Sequence, residues 1–345
     1  MRILVTANLT PFLRGGADYH INGLVTALRH AGHDAELLRL PFRFSPESDI
    51  ERAMAHAASL DLVQPNGIPV DQVISLQFPG YGMAHPDHRI WVMHQHRAVY
   101  ELYDEAEASP ALRALKPQIE AFDQRAFAGA SALYANSARV AQRMARYNDV
   151  AAQPLYHPPA HLARFRCEAP LPYVFFPSRL ETLKRQHLVI EAARRMRSGL
   201  TLILAGEGGQ HAVLAEMIER HGLGDRVRLI GHMTEQEKFV WYARALAVLF
   251  PPRDEDYGYI TLEAMLSSKA VLTCTDSGGP LEFVRHEDTG WIEAPDPDAL
   301  ARRLDWIAAN RGAVIEAGQR ARAAYDQAGI GWDHVVATLT APAKT

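Results

Sequence analysis

Short apolar runs alternate with stretches of helical periodicity along nearly the whole chain. That alternation is the pattern of parallel α/β sheets. In the first half it predicts strands at Ile3–Ala7, Ala35–Leu40, Gln72–Leu76, Ile90–His94, Ala132–Ala135 and Gln153–Tyr156. Helical spacing is clearest over Ala17–Ala31, Leu112–Phe127 and Ser137–Tyr147. Tyr156-His157-Pro158-Pro159 and then Ala169-Pro170-Leu171-Pro172 interrupt the pattern. Prolines this dense continue neither a helix nor a central strand, so the stretch reads as an interdomain linker. The alternation then restarts, with strands at Tyr173–Phe176, Thr201–Ala205, Val227–Ile230, Ala247–Phe250 and Val271–Cys274. Helices are expected to begin near Gln186, Gln210, Glu235, Gly258 and Gly279.

Two such halves predict an α/β protein of two Rossmann-like domains, 1–165 and 166–330, facing each other across a cleft. A C-terminal helix within 331–345 is expected to pack back on the first domain. Ligands of these sheets sit at the carboxyl ends of strands, so chemistry is sought in the loops there. Composition changes little. At roughly 150 residues per domain, 345 residues suit two domains, and 22% charged with 48% apolar is an ordinary globular balance. The formal charge is −4, which partly protonated histidines offset at neutral pH. Basic and acidic residues number 16 and 16 up to Arg166, then 20 and 24 beyond it, so neither half has the basic excess of a nucleic-acid binder. Cys167 and Cys274 are the only cysteines, which points to a reducing, cytoplasmic setting without a disulfide framework. No run approaches ~18 uncharged apolar residues. Met1–Ala7 is too short for a signal peptide, with Asn8 and Pro11 following at once. The expectation is a soluble protein, with peripheral contact at the inner face of a membrane left open.

The most specific stretch is Asp254-Glu255-Asp256-Tyr257-Gly258-Tyr259-Ile260-Thr261-Leu262-Glu263-Ala264-Met265, between an apolar strand and a helix opening near Gly258. The amides of Gly258, Tyr259 and Ile260 would form a helix N-terminus, a ready anion site. Glu255 reads equally as a capping acid. Glu263 lies in an apolar run, and a carboxylate buried there needs a partner.

Five segments together resemble retaining GT-B glycosyltransferases, above all glycosyltransferase family four. Glu255 and Glu263 flank seven residues as in that family's signature. Phe176–Arg185 resembles its "G-R-L-x-x-x-K-G" segment, and Gly206-Glu207-Gly208 its "G-x-G" turn. Val227–Met233 resembles its "V-x-F-x-G-x-v" strand, and Gly278-Gly279-Pro280-Leu281-Glu282 its "G-G-x-x-E" turn. The likeness is good over about 165–310 and looser before it. It departs at Lys184-Arg185 for Lys-Gly, at Ser268-Lys269-Ala270 for a "G-x-P" turn, and at His157-Pro158-Pro159 for an Asn-Gly turn.

The resemblance implies a GT-B fold and a hexosyl transfer from a UDP- or GDP-linked sugar, with retention and without a metal or other cofactor. The acceptor would be a saccharide or lipid-linked saccharide, as in polysaccharide biosynthesis. Arg179 and Lys184 would hold the diphosphate, Arg as a bidentate fork and Lys as a point charge. Glu263 would accept hydrogen bonds from the ribose, and Glu255 would lie against the donor sugar. Met233 and Gly231 would border the base, and Gly206 and Gly208 would allow close backbone approach. Gly15 and Gly16, in the Arg14–Asp18 turn after the first strand, match a loop that closes over the donor phosphate; Asp18 could cap the helix there. His94 matches a histidine that contacts the donor sugar.

Other readings remain at this point. His94 and His96 with His85 and His88 could suggest zinc, although no cysteine pair supports it. A GT-B nucleotide-sugar epimerase or a non-catalytic nucleotide-sugar-binding protein would share the fold. A phosphorylase-like enzyme would need a pyridoxal-phosphate lysine, and Lys238, Lys269 and Lys344 have no fitting context. A nicotinamide enzyme is disfavoured because no Gly-x-Gly-x-x-Gly follows the first strand.

Overall fold

A computed structural model of the chain describes residues 1–12 and 15–342; Arg14 of the glycine-rich turn and Lys344 lie outside the described residues. The chain divides into two compact units, one of Met1–Pro158 with the segment from Gly331 onward, the other of Pro159–Ile330. The division falls inside the proline-dense stretch, a few residues before position 165.

The first unit runs β1 (Arg2–Leu9), α1 (Gly16–His30), β2 (Asp34–Pro41), α2 (Glu47–Ser59), β3 (Gln72–Ser75), β4 (His88–Val92), α3 (Pro110–Gly129), β5 (Ala132–Ala135), α4 (Ala138–Asn148) and β6 (Gln153–Pro154). Its six strands are all parallel in the order β2-β1-β3-β4-β5-β6. β3 and β4 are buried at every position, because helices cover both faces of a parallel sheet. One apolar cluster joins Ile3, Val5 and Ala7 to Ile21, Leu24, Val25 and Leu28 of α1. The other holds Ile50 and Met54 of α2, Ile119 and Phe122 of α3, and Met144 of α4. Ser109 and Ser137 start α3 and α4 by accepting the amides of Leu112 and Val140, each at 3.0 Å.

The second unit runs β7 (Tyr173–Pro177), α5 (Gln186–Arg195), β8 (Thr201–Ala205), α6 (His211–Arg220), β9 (Val227–Gly231), α7 (Glu235–Arg244), β10 (Ala247–Leu249), α8 (Tyr259–Leu266), β11 (Val271–Cys274), β12 (Gly290–Glu293), α9 (Pro297–Ala309) and α10 (Arg311–Gln327). Its parallel strands lie in the order β12-β11-β10-β7-β8-β9, the doubly wound arrangement whose direction reverses between β7 and β10. The last helix, α11 (Trp332–Thr340), belongs to the first unit: Val335, Val336 and Leu339 join the cluster beneath α1. Gly23 makes room for its Trp332, whose ring lies 2.2 Å from where a Cβ would stand.

Two expectations are corrected. β4 ends at Val92, so His94 stands in the following loop rather than on a strand. Gly279 opens only a 3-10 turn, Gly279–Glu282. α2, β12, α9 and α10 are elements that the apolar pattern did not single out.

Candidate functional site

The loops after β7 and β10 meet where the strand order of the second unit reverses. β7 delivers Arg179 first. Its side chain is exposed and makes no hydrogen bond or ion pair among the described residues, while its carbonyl accepts from Gln186 Nε2 at 2.8 Å. A 3-10 turn over Thr182–Lys184 then presents Lys184, whose Nζ pairs with Glu255 Oε2 and lies 5.7 Å from the Phe250 ring centroid. Glu255 is set from the other side: its N–H donates to Ser277 O at 2.9 Å, and its carbonyl accepts from Gly279 N at 2.8 Å. The residue after Lys184 has φ 61°, a left-handed conformation that favours glycine. This chain places Arg185 there. The guanidinium then grips Asp276 with two bonds of 2.7 and 2.6 Å, and those bonds hold the Asp276 carboxyl below the usual range.

α8 opens in the same loop, with Gly258 as its N-cap at φ 85°. The first-turn amides of a helix have no intrahelical acceptor, so the Gly258–Ile260 segment offers a positive helix end beside Lys184's partner. One turn further in, Glu263 is buried and has a partner on each oxygen. Lys238 Nζ lies 3.1 Å from Oε1, and Tyr242 donates its hydroxyl to Oε2 at 2.7 Å. Both come from α7, one turn apart, and Lys238 also pairs with Glu235 at 3.2 Å. Burial, with the Glu263 charge beside it, pushes the Tyr242 hydroxyl well above its ordinary pKa. The sequence showed that Glu263 needs a partner but not that Lys238 and Tyr242 supply it; their i, i+4 spacing on one helix face was the available signal.

The glycines after β8 are needed by the protein's own backbone. A Cβ at Gly206 (φ 131°) would stand 2.2 Å from Ser178 O, and one at Gly208 would stand 2.4 Å from Leu180 O. Gly206 N donates to Gly231 O at 2.8 Å, which brings the loops after β8 and β9 together. Met233, half-buried, follows just beyond.

Two further assignments lie in the first unit. Gly15 is extended, with open space where a Cβ would stand, so no steric reason requires glycine there. Its N–H donates to Asp18 Oδ2 at 3.2 Å, Asp18 is clasped by Arg39 at 3.1 Å, and Gly16 is the first residue of α1. His94 Nδ1 lies 2.8 Å from Gln95 O. A carbonyl only accepts, so Nδ1 carries a proton.

Behind His94, Gln95 bonds Asn148, Asn148 bonds the Tyr100 hydroxyl at 3.2 Å, and Tyr100 and Tyr81 donate to buried Asp123 at 2.7 and 2.8 Å. Burial pushes Asp123 up to about 7. Nothing in the sequence pattern marked it. The histidines weighed for zinc have other partners: His85 lies against the Asp87 and Val70 backbone, and His88 Nε2 is 2.7 Å from Ser75 Oγ.

Residues 165–327 match the family described as "Glycosyl transferases group 1". The chain is 32% identical over 144 residues to the alpha-1,3/1,6-mannosyltransferase ALG2 of Homo sapiens, an alignment covering 37% of this chain and 34% of that protein. The chain thus spans about a third of the length of this curated relative. Among solved structures it is similar to a sucrose-phosphate synthase from Thermosynechococcus elongatus, with TM-score 0.81, 16% identity and coverage of 98% and 97% of the two chains. It is also similar to HepE of Anabaena, solved with UDP and glucose, with TM-score 0.70, 18% identity and 98% of each chain covered. These likenesses show the fold, GT-B.

Proposed function

From the match of residues 165–327 to the glycosyl transferases group 1 family, we propose that the chain is a retaining glycosyltransferase. It moves a hexosyl unit from a UDP- or GDP-linked sugar to a saccharide or lipid-linked saccharide acceptor. The observation that carries this reading is the reversal point between β7 and β10, whose two loops carry Lys184, the start of α8 and an Arg179 that is unpaired among the described residues. Nucleotides bind such sheets at that point.

In this reading the donor diphosphate takes Lys184 away from Glu255, and Arg179 grips the phosphate oxygens as a fork. The released Glu255 then faces the sugar hydroxyls. Glu263 keeps Lys238 and Tyr242 and accepts the ribose hydroxyls through its remaining lone pairs. His94 orients the sugar, a role that rests on the family resemblance. The acceptor hydroxyl attacks the anomeric carbon as the bond to the diphosphate breaks, and the diphosphate takes the hydroxyl proton. Charge growing on the leaving group is met by two side-chain cations and the helix end, so no divalent metal is required. HepE, solved with UDP and glucose, supports a uridine donor. Among the described residues no helix is long and apolar enough to cross a membrane.

Titration calorimetry with UDP and GDP in the presence of EDTA tests the reading. One of them is expected to bind with an affinity that added Mg²⁺ leaves unchanged, and Lys184→Ala is expected to lower kcat by orders of magnitude, beyond any rise in KM. Binding and turnover that appear only with Mg²⁺ would contradict it.

A further inference from the structure

We propose that Cys167 and Lys269 form a covalent sulfur–nitrogen cross-link when the protein meets hydrogen peroxide. Cys167 is exposed, in the segment leading into β7. Lys269 lies in the turn between α8 and β11 and is 3% exposed. Its Nζ stands 3.5 Å from Cys167 Sγ and 3.4 Å from the carbonyl oxygen of Glu168. Among the described residues it has no ion pair with any carboxylate. Burying an ammonium is costly, and burial lowers the pKa of this lysine against smaller opposing pulls from Cys167 and Glu168. A larger share of it is therefore neutral amine, the nucleophilic form. The pair thus joins a sulfur that peroxide can reach to an amine at contact distance that water reaches poorly.

The chemistry closes with peroxide as the only oxidant. The Cys167 sulfur attacks one peroxide oxygen, the O–O bond breaks, and water leaves; sulfur is oxidised to the sulfenic acid and peroxide is reduced. The Lys269 amine then attacks that sulfur, the S–O bond breaks, and the departing hydroxide takes a proton from nitrogen as a second water. The product is a sulfenamide, two hydrogen atoms lighter than the reduced protein. Sulfenic acids condense in this way with nearby thiols and backbone nitrogens, and here the nearby nucleophile is a lysine. The other cysteine is no competitor: Cys274 is buried, and burial pushes its thiol up to about 12. The new bond ties the start of the second unit to the turn that ends α8, the helix of Glu263, and removes the charge of Lys269.

Peptide mapping by mass spectrometry after treatment of the full chain with hydrogen peroxide tests this. The expected product joins the peptide beginning at Cys167 to the one carrying Lys269, uncleaved at that lysine and lighter by two hydrogens. It should vanish on treatment with dithiothreitol and be absent from Cys167→Ser and Lys269→Arg. Should Lys269→Arg not fold, fragmentation of the wild-type product still identifies the linked lysine. The proposal is overturned if Cys167 stays unreacted, ends only as sulfinic acid or an intermolecular disulfide, or is linked to another amine.

Discussion

Glu263 is bound on both oxygens by Lys238 and Tyr242, so its removal has two separable effects. Glu263→Ala leaves Lys238 buried beside too little negative charge, a loss of about 3–5 kcal/mol in stability on the scale of broken buried pairs. In the protein that remains folded, nucleotide affinity should fall by about 1.5–3 kcal/mol, the worth of hydrogen bonds to a charged acceptor. Thermal unfolding and nucleotide titration measure the two effects; unchanged affinity in folded protein removes Glu263 from the ribose. At this scale the sequence was partly legible. A carboxylate inside Tyr259–Leu266 had to be paired, but its partners lie on α7, and nothing local names them. Lys184 and Glu255 were each visible through the motifs that hold them, whereas their pairing depends on two loops brought together by strand order.

Loops here are shaped by a few left-handed positions, and two of them explain two of the three departures from the family pattern. Arg185 and Ser268, at φ 61° and 52°, occupy the places where the family has glycine, so the backbone is kept while the residue changes. Gly278 has no such freedom. At φ 72° its Cβ would stand 2.5 Å from Glu255 O and 2.8 Å from Glu255 N. Gly278→Ala is therefore expected to cost about 1–3 kcal/mol in stability and to lower turnover by displacing Glu255. A variant as stable and active as the wild type, by thermal melt and initial rate, would show that the loop adapts.

Strands with strong apolar runs, such as Thr201–Ala205 and Val271–Cys274, were legible to the residue. α10 was not, because its buried stripe is Val314, Ala317, Ala321 and Tyr325 in an alanine- and arginine-rich helix with little apolar contrast.

Across the whole molecule, buried histidines held neutral add to the acid sensitivity that paired carboxylates such as Asp276 also confer. Burial lowers His88 and His96 to about 4 and His157 to about 3. A histidine whose folded pKa lies below its unfolded value of about 6.5 contributes stability that is present above 6.5 and lost as pH falls. Down to pH 4 each shift is worth about 3 kcal/mol. Asp123, raised to about 7, acts in the opposite sense, its contribution being lost as pH rises through 7. Three histidines outweigh one carboxyl, so thermal midpoints should fall from pH 6.5 to 4, and more steeply in Asp123→Asn; a flat profile would contradict this balance. The two-unit α/β plan was legible because each half repeats strand and helix around a proline-dense break, and the expected return of α11 to the first unit is held by packing of Trp332 against Gly23. The central claim, transfer with retention from a nucleotide sugar, places departure and attack on one face of the sugar with no covalent intermediate. Proton NMR of the first-formed product, from an α-linked UDP- or GDP-sugar and a saccharide acceptor, tests it most directly. An α-anomeric signal is predicted; a β-anomeric signal would contradict the account.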